Sequence, residues 1–305
     1  MAAVEITDVT KSFGETVAVN GLSLRVPDGS IYGFIGPNGS GKTTTLRMIM
    51  RILHPDRGRI HVLGEDVTES AAASERVGYL PEERGLYRKM VVKDLLRFYA
   101  ELKGLRDSNR AIDQWLDRLD LAEWGDKKVE SLSKGMSQKL QFIATVLHKP
   151  QLILLDEPFS GLDPVNMDVL RQAVLDLRRD GATVIFSTHD MGVAEKMCDF
   201  IFMIYKGRKV LDGTLASIRD QYSNDTLRVR LSENGEVVNR LDGVEKVNDY
   251  GQFKELRMTA GADAQQILQQ LAKQCRVEHF EITQPSLHDV FVRIAGPEAE
   301  EAQHA

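Results

Sequence analysis

The stretch that decides the fold is residues 31–49, IYGFIGPNGSGKTTTLRMI. Its first five residues, Ile31–Ile35, are apolar and read as a buried strand, and a helix is expected from Lys42 to Ile52. Between them lies GPNGSGKT, residues 36–43, a GxxxxGK[ST] pattern in the strand-to-helix setting that its chemistry requires. Gly36, Gly39 and Gly41 free the backbone so that successive N–H groups can turn inward around an anion, and the helix adds the positive end of its dipole. Pro37, Asn38 and Ser40 complete the loop, and Thr44 follows it as a further phosphate-side residue. Lys42 is placed to neutralise β- and γ-phosphate oxygens, and Thr43 to offer its hydroxyl to a metal ion. The cofactors implied are ATP and Mg2+.

Working outward, Gln151–Pro158 reads QLILLDEP, an apolar strand that ends in two acids. If its C-terminal end points at the phosphate loop, Asp156 comes near the metal. Glu157 is then free to polarise an attacking water as general base.

The rest of the first 220 residues alternates strand and helix signals, which predicts an α/β domain with a largely parallel sheet. Val4–Val9, Leu22–Val26 and Arg59–Leu63 read as an antiparallel layer. Residues 86–148 read as a helical insertion, with amphipathic patterns at Val92–Leu102 and Ala111–Leu119. Further strands are expected at Leu152–Leu155, Thr183–Phe186 and Phe200–Ile204. After Gln221–Asp225 the character changes. Strand, short helix (Gly235–Leu241), hairpin, amphipathic helix (Ala264–Lys273) and strand follow over residues 225–296, a βαββαβ, ferredoxin-like order in a small α+β domain. The tail, residues 297–305, is acidic and expected to be disordered.

The net charge of −6 gives no general attraction to nucleic acid. The small domain shows neither paired aromatics on one strand nor a basic face for RNA. No run approaches the ~20 apolar residues of a membrane span, and Cys198 and Cys275 have no metal-ligand spacing, so a soluble intracellular chain is expected.

With three further elements in order, the sequence resembles the nucleotide-binding subunits of ATP-binding cassette (ABC) transporters over residues 1 to about 220. LSKGM (Leu132–Met136) resembles the signature loop LSGGQ, SGLDP (Ser160–Pro164) the D-loop with Asp163, and STHD (Ser187–Asp190) the switch-histidine segment with His189. The resemblance implies that Ser133 and Gly135 meet the ATP of a second subunit, that His189 contacts the γ-phosphate, and that Phe13 stacks on adenine. Each has a plainer reading as well: Ser133 as a helix N-cap, His189 as a buried histidine, Phe13 as core. Two departures stand out. Glu82, in VGYLPEERGLY, occupies the position of a usual glutamine near the metal, and Lys134 and Met136 alter the signature loop.

GYLPEERGLY, LSKGM and the C-terminal PSLHDVFVRI (Pro285–Ile294) resemble exporter ATPases that serve a separate polytopic permease. That implies an ATP-hydrolysing subunit, a homodimer, and a cytoplasmic location at the inner face of the membrane through the permease. The alternative is a soluble ABC ATPase acting in translation or DNA maintenance, but such relatives carry two cassettes or a long coiled-coil insertion, and this chain has neither.

Overall fold

The computed structural model describes residues 2–70, 75–83, 85–222, 226–232, 235–259, 261–283 and 285–296. In chain order the first part contains β1 (Ala2–Phe13), β2 (Thr16–Pro27), β3 (Ile31–Ile35), α1 (Lys42–Ile49), β4 (Arg57–Val62), β5 (Glu65–Asp66) and β6 (Val77–Leu80). Then come α2 (Val92–Leu102), α3 (Asn109–Arg118), α4 (Lys134–Val146), β7 (Leu152–Asp156), α5 (Pro164–Arg179), β8 (Thr183–Thr188), α6 (Met191–Met197), β9 (Phe200–Tyr205), β10 (Arg208–Gly213) and α7 (Leu215–Tyr222).

β3 lies inside a six-stranded sheet of order β10-β9-β3-β8-β7-β6. Its pairings with β8 and β9 are parallel, as are β7–β8 and β6–β7, while edge strand β10 runs antiparallel to β9. Successive side chains of a strand point to opposite faces, so a strand buried on both sides must be apolar throughout. Here Ile31, Ile153, Leu155, Val184 and Phe186 face a core shared with α2 to α5. Tyr32, Phe34, Leu152, Leu154 and Ile185 face a second core under the antiparallel layer and α1. That layer has the order β2-β1-β4-β5, one strand more than the sequence suggests.

α1 stops at Ile49, short of the expected Ile52. Arg51 takes a left-handed φ of 58°, and the N–H groups of Arg51 and Ile52 donate to Met48 O (3.0 Å) and Arg47 O (2.9 Å). This is a Schellman-type ending in which arginine replaces the usual glycine, so the sequence carries no stop signal.

Among the described residues the chain folds as two compact units, one through Leu215 and another that begins at Ala216 and so includes all of α7 but its first residue. In the second, β11 (Thr226–Leu231), β12 (Val244–Asp249), β13 (Lys254–Met258) and β14 (Val277–Thr283) form an antiparallel sheet of order β12-β13-β11-β14, with α8 (Ala264–Gln274) and α9 (Leu287–Ala295). Numbered within the unit, that order is 2-3-1-4, the ferredoxin-like arrangement. The first crossover is a 3-10 helix, Gly235–Arg240. Leu227, Val229 and Leu256 pack with Ile267 and Leu271 of α8. Residues 223–225, where the change in composition falls, and the acidic tail at 297–305 lie outside the described residues.

Candidate active site

The parallel strands β3, β7 and β8 deliver their C-terminal ends to one place. Gly36 N donates to Thr188 O at 3.3 Å, so the start of the phosphate loop is tied to the end of β8. A Cβ on Gly36 would meet Ile204 O at 2.2 Å, and one on Gly41 would meet Ala18 O at 2.6 Å. Gly41 is also left-handed, φ 112°, as it caps α1. These close approaches are why the loop is glycine-rich.

Lys42 is buried, and its ammonium donates to Gly36 O (2.7 Å) and Pro37 O (3.1 Å). It lies 3.6 Å from Glu157 Oε1. Burial pushes the ammonium below its ordinary range, against the opposing pull of Glu157, Asp156 and Glu82.

The Thr43 hydroxyl donates to Asp156 Oδ1 (3.1 Å), and Ser187 Oγ donates to the same oxygen (2.5 Å). Asp156 Oδ2 and Ser40 Oγ are buried with no hydrogen-bond partner. A buried carboxylate oxygen without a donor is costly unless a cation faces it. Asp156 and Thr43 therefore fit Mg2+, which is held by one or two oxygen side chains together with substrate phosphates and water rather than by an all-protein cage. Among the described residues no group of three or more His, Cys, Asp or Glu could hold a metal.

Glu157 is buried at 7% exposure and adopts a left-handed φ of 49°. A non-glycine residue held there costs about 1–3 kcal/mol and persists only where its surroundings fix it. Ser187 Oγ does so by accepting the Glu157 N–H at 3.0 Å. His189 Nδ1 lies 3.1 Å from Glu157 Oε1. Burial pushes the Glu157 carboxyl up, while the His189 hydrogen bond and the Lys42 charge pull it back down. The result is a buried carboxylate, braced by an imidazole and an ammonium, at the mouth of a phosphate loop. Such a group can take a proton from water.

A cleft of about 260 Å3 here is lined by Ala18, residues 38–44, Glu82 and Glu157. Glu82 thus shares this cleft with the residues of the phosphate loop. Asp156 and His189 reach the lining through Thr43 and Glu157, whereas Ser133, Gly135, Asp163 and Phe13 are not among the lining residues. Ser133 is exposed and caps α4 by accepting Met136 N at 3.2 Å, with Gly135 two residues on. Asp163 caps α5 by accepting Asn166 N at 3.0 Å. Phe13, at the end of β1, is 49% exposed beside Lys11. The residue whose role sequence reasoning missed is Ser187, whose hydroxyl braces both acids. Its signal is the polar pair Ser-Thr closing an apolar strand.

A separate groove of about 430 Å3 lies between β6 and helices α2 and α4, lined by Tyr79, Pro81, Leu86, Tyr99, Leu102, Ala144 and His148 among others. The Tyr79 hydroxyl, Gln141 Oε1 and both His148 ring nitrogens are buried without a hydrogen bond of ordinary geometry. Burial, with Lys103 nearby, lowers His148 to about 4. Among the described residues no helix is long and apolar enough to cross a membrane.

Residues 19–160 match the family model for ABC transporters, and residues 213–295 match that for the C-terminal domain of DrrA1-3-like ATP-binding proteins. The chain is 39% identical over 293 residues to the ABC transporter ATP-binding protein YhaQ of Bacillus subtilis (strain 168), covering 95% of this chain and 98% of that one. It is 33% identical to a Nod factor export ATP-binding protein I of Sinorhizobium fredii (strain NBRC 101917 / NGR234), covering 97% and 87%. Among solved structures, an ATP-binding subunit of an ABC transporter superposes with a TM-score of 0.68 at 29% identity, covering 72% of this chain and 93% of that one.

Proposed function

This chain belongs to the ABC transporter ATP-binding subunits, which are ATPases, and from that premise we propose that two copies clasp two ATP molecules to drive export through a separate permease. Each nucleotide is held by residues 36–44 of one copy and by Ser133 and Gly135 of the other. The observation that carries this reading is the split of the candidate residues. Lys42, Thr43, Asp156, Glu157 and His189 converge on one cleft, whereas Ser133 stands exposed on a helix start elsewhere. One chain supplies half of each site.

Within the closed site, Lys42 neutralises phosphate oxygens and Glu157 Oε1 accepts the proton of the water that attacks the γ-phosphorus. His189 opposes the upward push of burial on Glu157 and keeps its ring in reach of the phosphate. Phe13 gives the adenine a stacking face, and Asp163 orients the loop at 160–163 toward the second copy. Mg2+, held by Asp156 and Thr43, supplies charge neutralisation of the phosphates when bound.

The groove beside β6 suits a short amphipathic segment from a cytoplasmic loop of the permease. Its lining is largely apolar, with Pro81, Leu86, Leu102 and Ala144 among the residues such a segment would cover. The groove borders Pro81 and Leu86. These residues flank Glu82 at the phosphate cleft, so seating of the segment is linked to the nucleotide. The export direction is supported by likeness to a relative named for export.

The test is recovery of the full chain from native membranes. A polytopic membrane protein should accompany it. Ala144→Glu, in the groove wall, should release that partner while the isolated subunit still hydrolyses ATP. Recovery with ribosomes or DNA instead would contradict the reading.

A further inference from the structure

The phosphate cleft is short of positive charge. Glu82, Glu157 and the adjoining Asp156 all act on Lys42, and Lys42 is the only cation among the described residues lining the cleft. A divalent cation at Asp156 would offset two of those charges, and the triphosphate then adds negative charge of its own.

A cation in search of an anion lies elsewhere on the same chain. Lys134 is the first residue of α4, and it is exposed. Its position opposes the helix dipole, and the first turn of α4 holds no acid to compensate. Its chain is nevertheless laid down in an ordered way: Nζ and Cε pass 3.0 and 3.1 Å from where a Cβ of Gly161 would stand. Gly161, at φ 70°, leaves the surface on which that side chain rests.

We propose that Lys134 reaches across the dimer interface and supplies the cation that Glu82 makes necessary, binding the phosphates held in the second copy's cleft. The inference rests on the two-copy site proposed above. It deepens that reading by joining the two unusual residues, an extra carboxylate in one half-site and an extra ammonium in the other, into one compensating pair.

The experiment is a double-mutant cycle on the full chain, read as ATP affinity and as ATP-driven dimerisation in a Glu157→Gln background. Lys134→Gln should weaken ATP binding at least ~tenfold, since a unit charge even ~10 Å from the phosphates at an effective dielectric of ~20 contributes about that much and a closer one contributes more. In a Glu82→Gln background the same change should cost less, by the coupling between the two residues. Equal costs in both backgrounds, or no cost in either, overturn the compensation. Location is tested by mixing Lys134→Gln with Lys42→Ala chains. One site of the mixed dimer then has an intact phosphate loop and an intact Lys134 opposite it, so it should bind ATP as the unmutated protein does. Persistence of the weakened affinity places Lys134 in its own chain's site and overturns the proposal. Dimerisation that survives with no dependence on Lys134 refutes this inference alone, whereas absence of ATP-driven dimerisation from every variant refutes the two-copy reading with it.

Discussion

His148 offers a quantitative test of the groove beside β6. Its ring is largely buried, and burial and Lys103 lower its proton affinity from about 6.5 to about 4. The unfolded chain therefore takes up the proton first as the pH falls. The sign follows from linkage: stability is unaffected above about 6.5, declines as the pH drops from there toward about 4, and loses nothing further below. At ~1.4 kcal/mol per pH unit the full loss is roughly 3 kcal/mol, and at pH 5 about 2 kcal/mol. Partial exposure of the ring reduces the expected loss at pH 5 to about 1–2 kcal/mol. His148→Phe removes the titration and keeps a ring in place. Urea unfolding followed by tryptophan fluorescence reads the right unit, because both tryptophans, Trp115 and Trp124, belong to the helical part of the cassette core. Between pH 7.5 and pH 5.0 the unsubstituted protein should lose about 1–2 kcal/mol more than His148→Phe. Equal losses would refute the argument, whatever the two proteins' stabilities at pH 7.5.

Three further outcomes follow from the site. Gly41→Ala forces a Cβ to within 2.6 Å of Ala18 O at a left-handed φ of 112°. With about 1–3 kcal/mol of strain to relieve, the loop should shift and ATP affinity fall about tenfold or more, measured by titration with a fluorescent ATP analogue. His189→Ala removes the hydrogen bond that pulls the Glu157 proton affinity down, so the acid limb of the ATPase pH profile should move to higher pH. An unmoved limb would separate His189 from Glu157. Phe13→Ala should weaken ATP binding by about 1–3 kcal/mol, the usual worth of an aromatic stacked on a base. Because Phe13 is 49% exposed, the urea midpoint should barely change; a large loss of stability would make it a packing residue instead.

Much of this was legible in the sequence for a physical reason. The sheet strands Ile31–Ile35 and Leu152–Asp156 are buried on both faces and therefore almost wholly apolar, Asp156 closing the second of them. The phosphate loop reads clearly because Gly36 and Gly41 are required by backbone contacts only 2.2–2.6 Å from a would-be Cβ. What escaped depended on partners distant in sequence. Ser187 braces Asp156 and Glu157 from some thirty positions away, across neighbouring parallel strands. Edge strand β10, RKVLDG, has only one buried residue, Leu211, and exists through its pairing with β9. The end of α1 escaped because Arg51 takes the left-handed turn that glycine usually marks. In the small unit the alternating strands and the Ile267–Leu271 stripe were enough, since each element buries one face only.

The central claim is that Glu157, buried at the end of β7 and braced by Lys42, His189 and Ser187, is the group that takes the proton from the attacking water. The measurement that tests it most directly is single-turnover ATP hydrolysis by Glu157→Gln, with ATP binding measured on the same protein. Glutamine keeps the size and the hydrogen-bonding reach but cannot accept the proton. ATP should bind at least as tightly as to the unsubstituted protein, while hydrolysis falls by a factor of about 10²–10⁴. Hydrolysis within a few-fold of the unsubstituted rate, with ATP still bound, would contradict the claim.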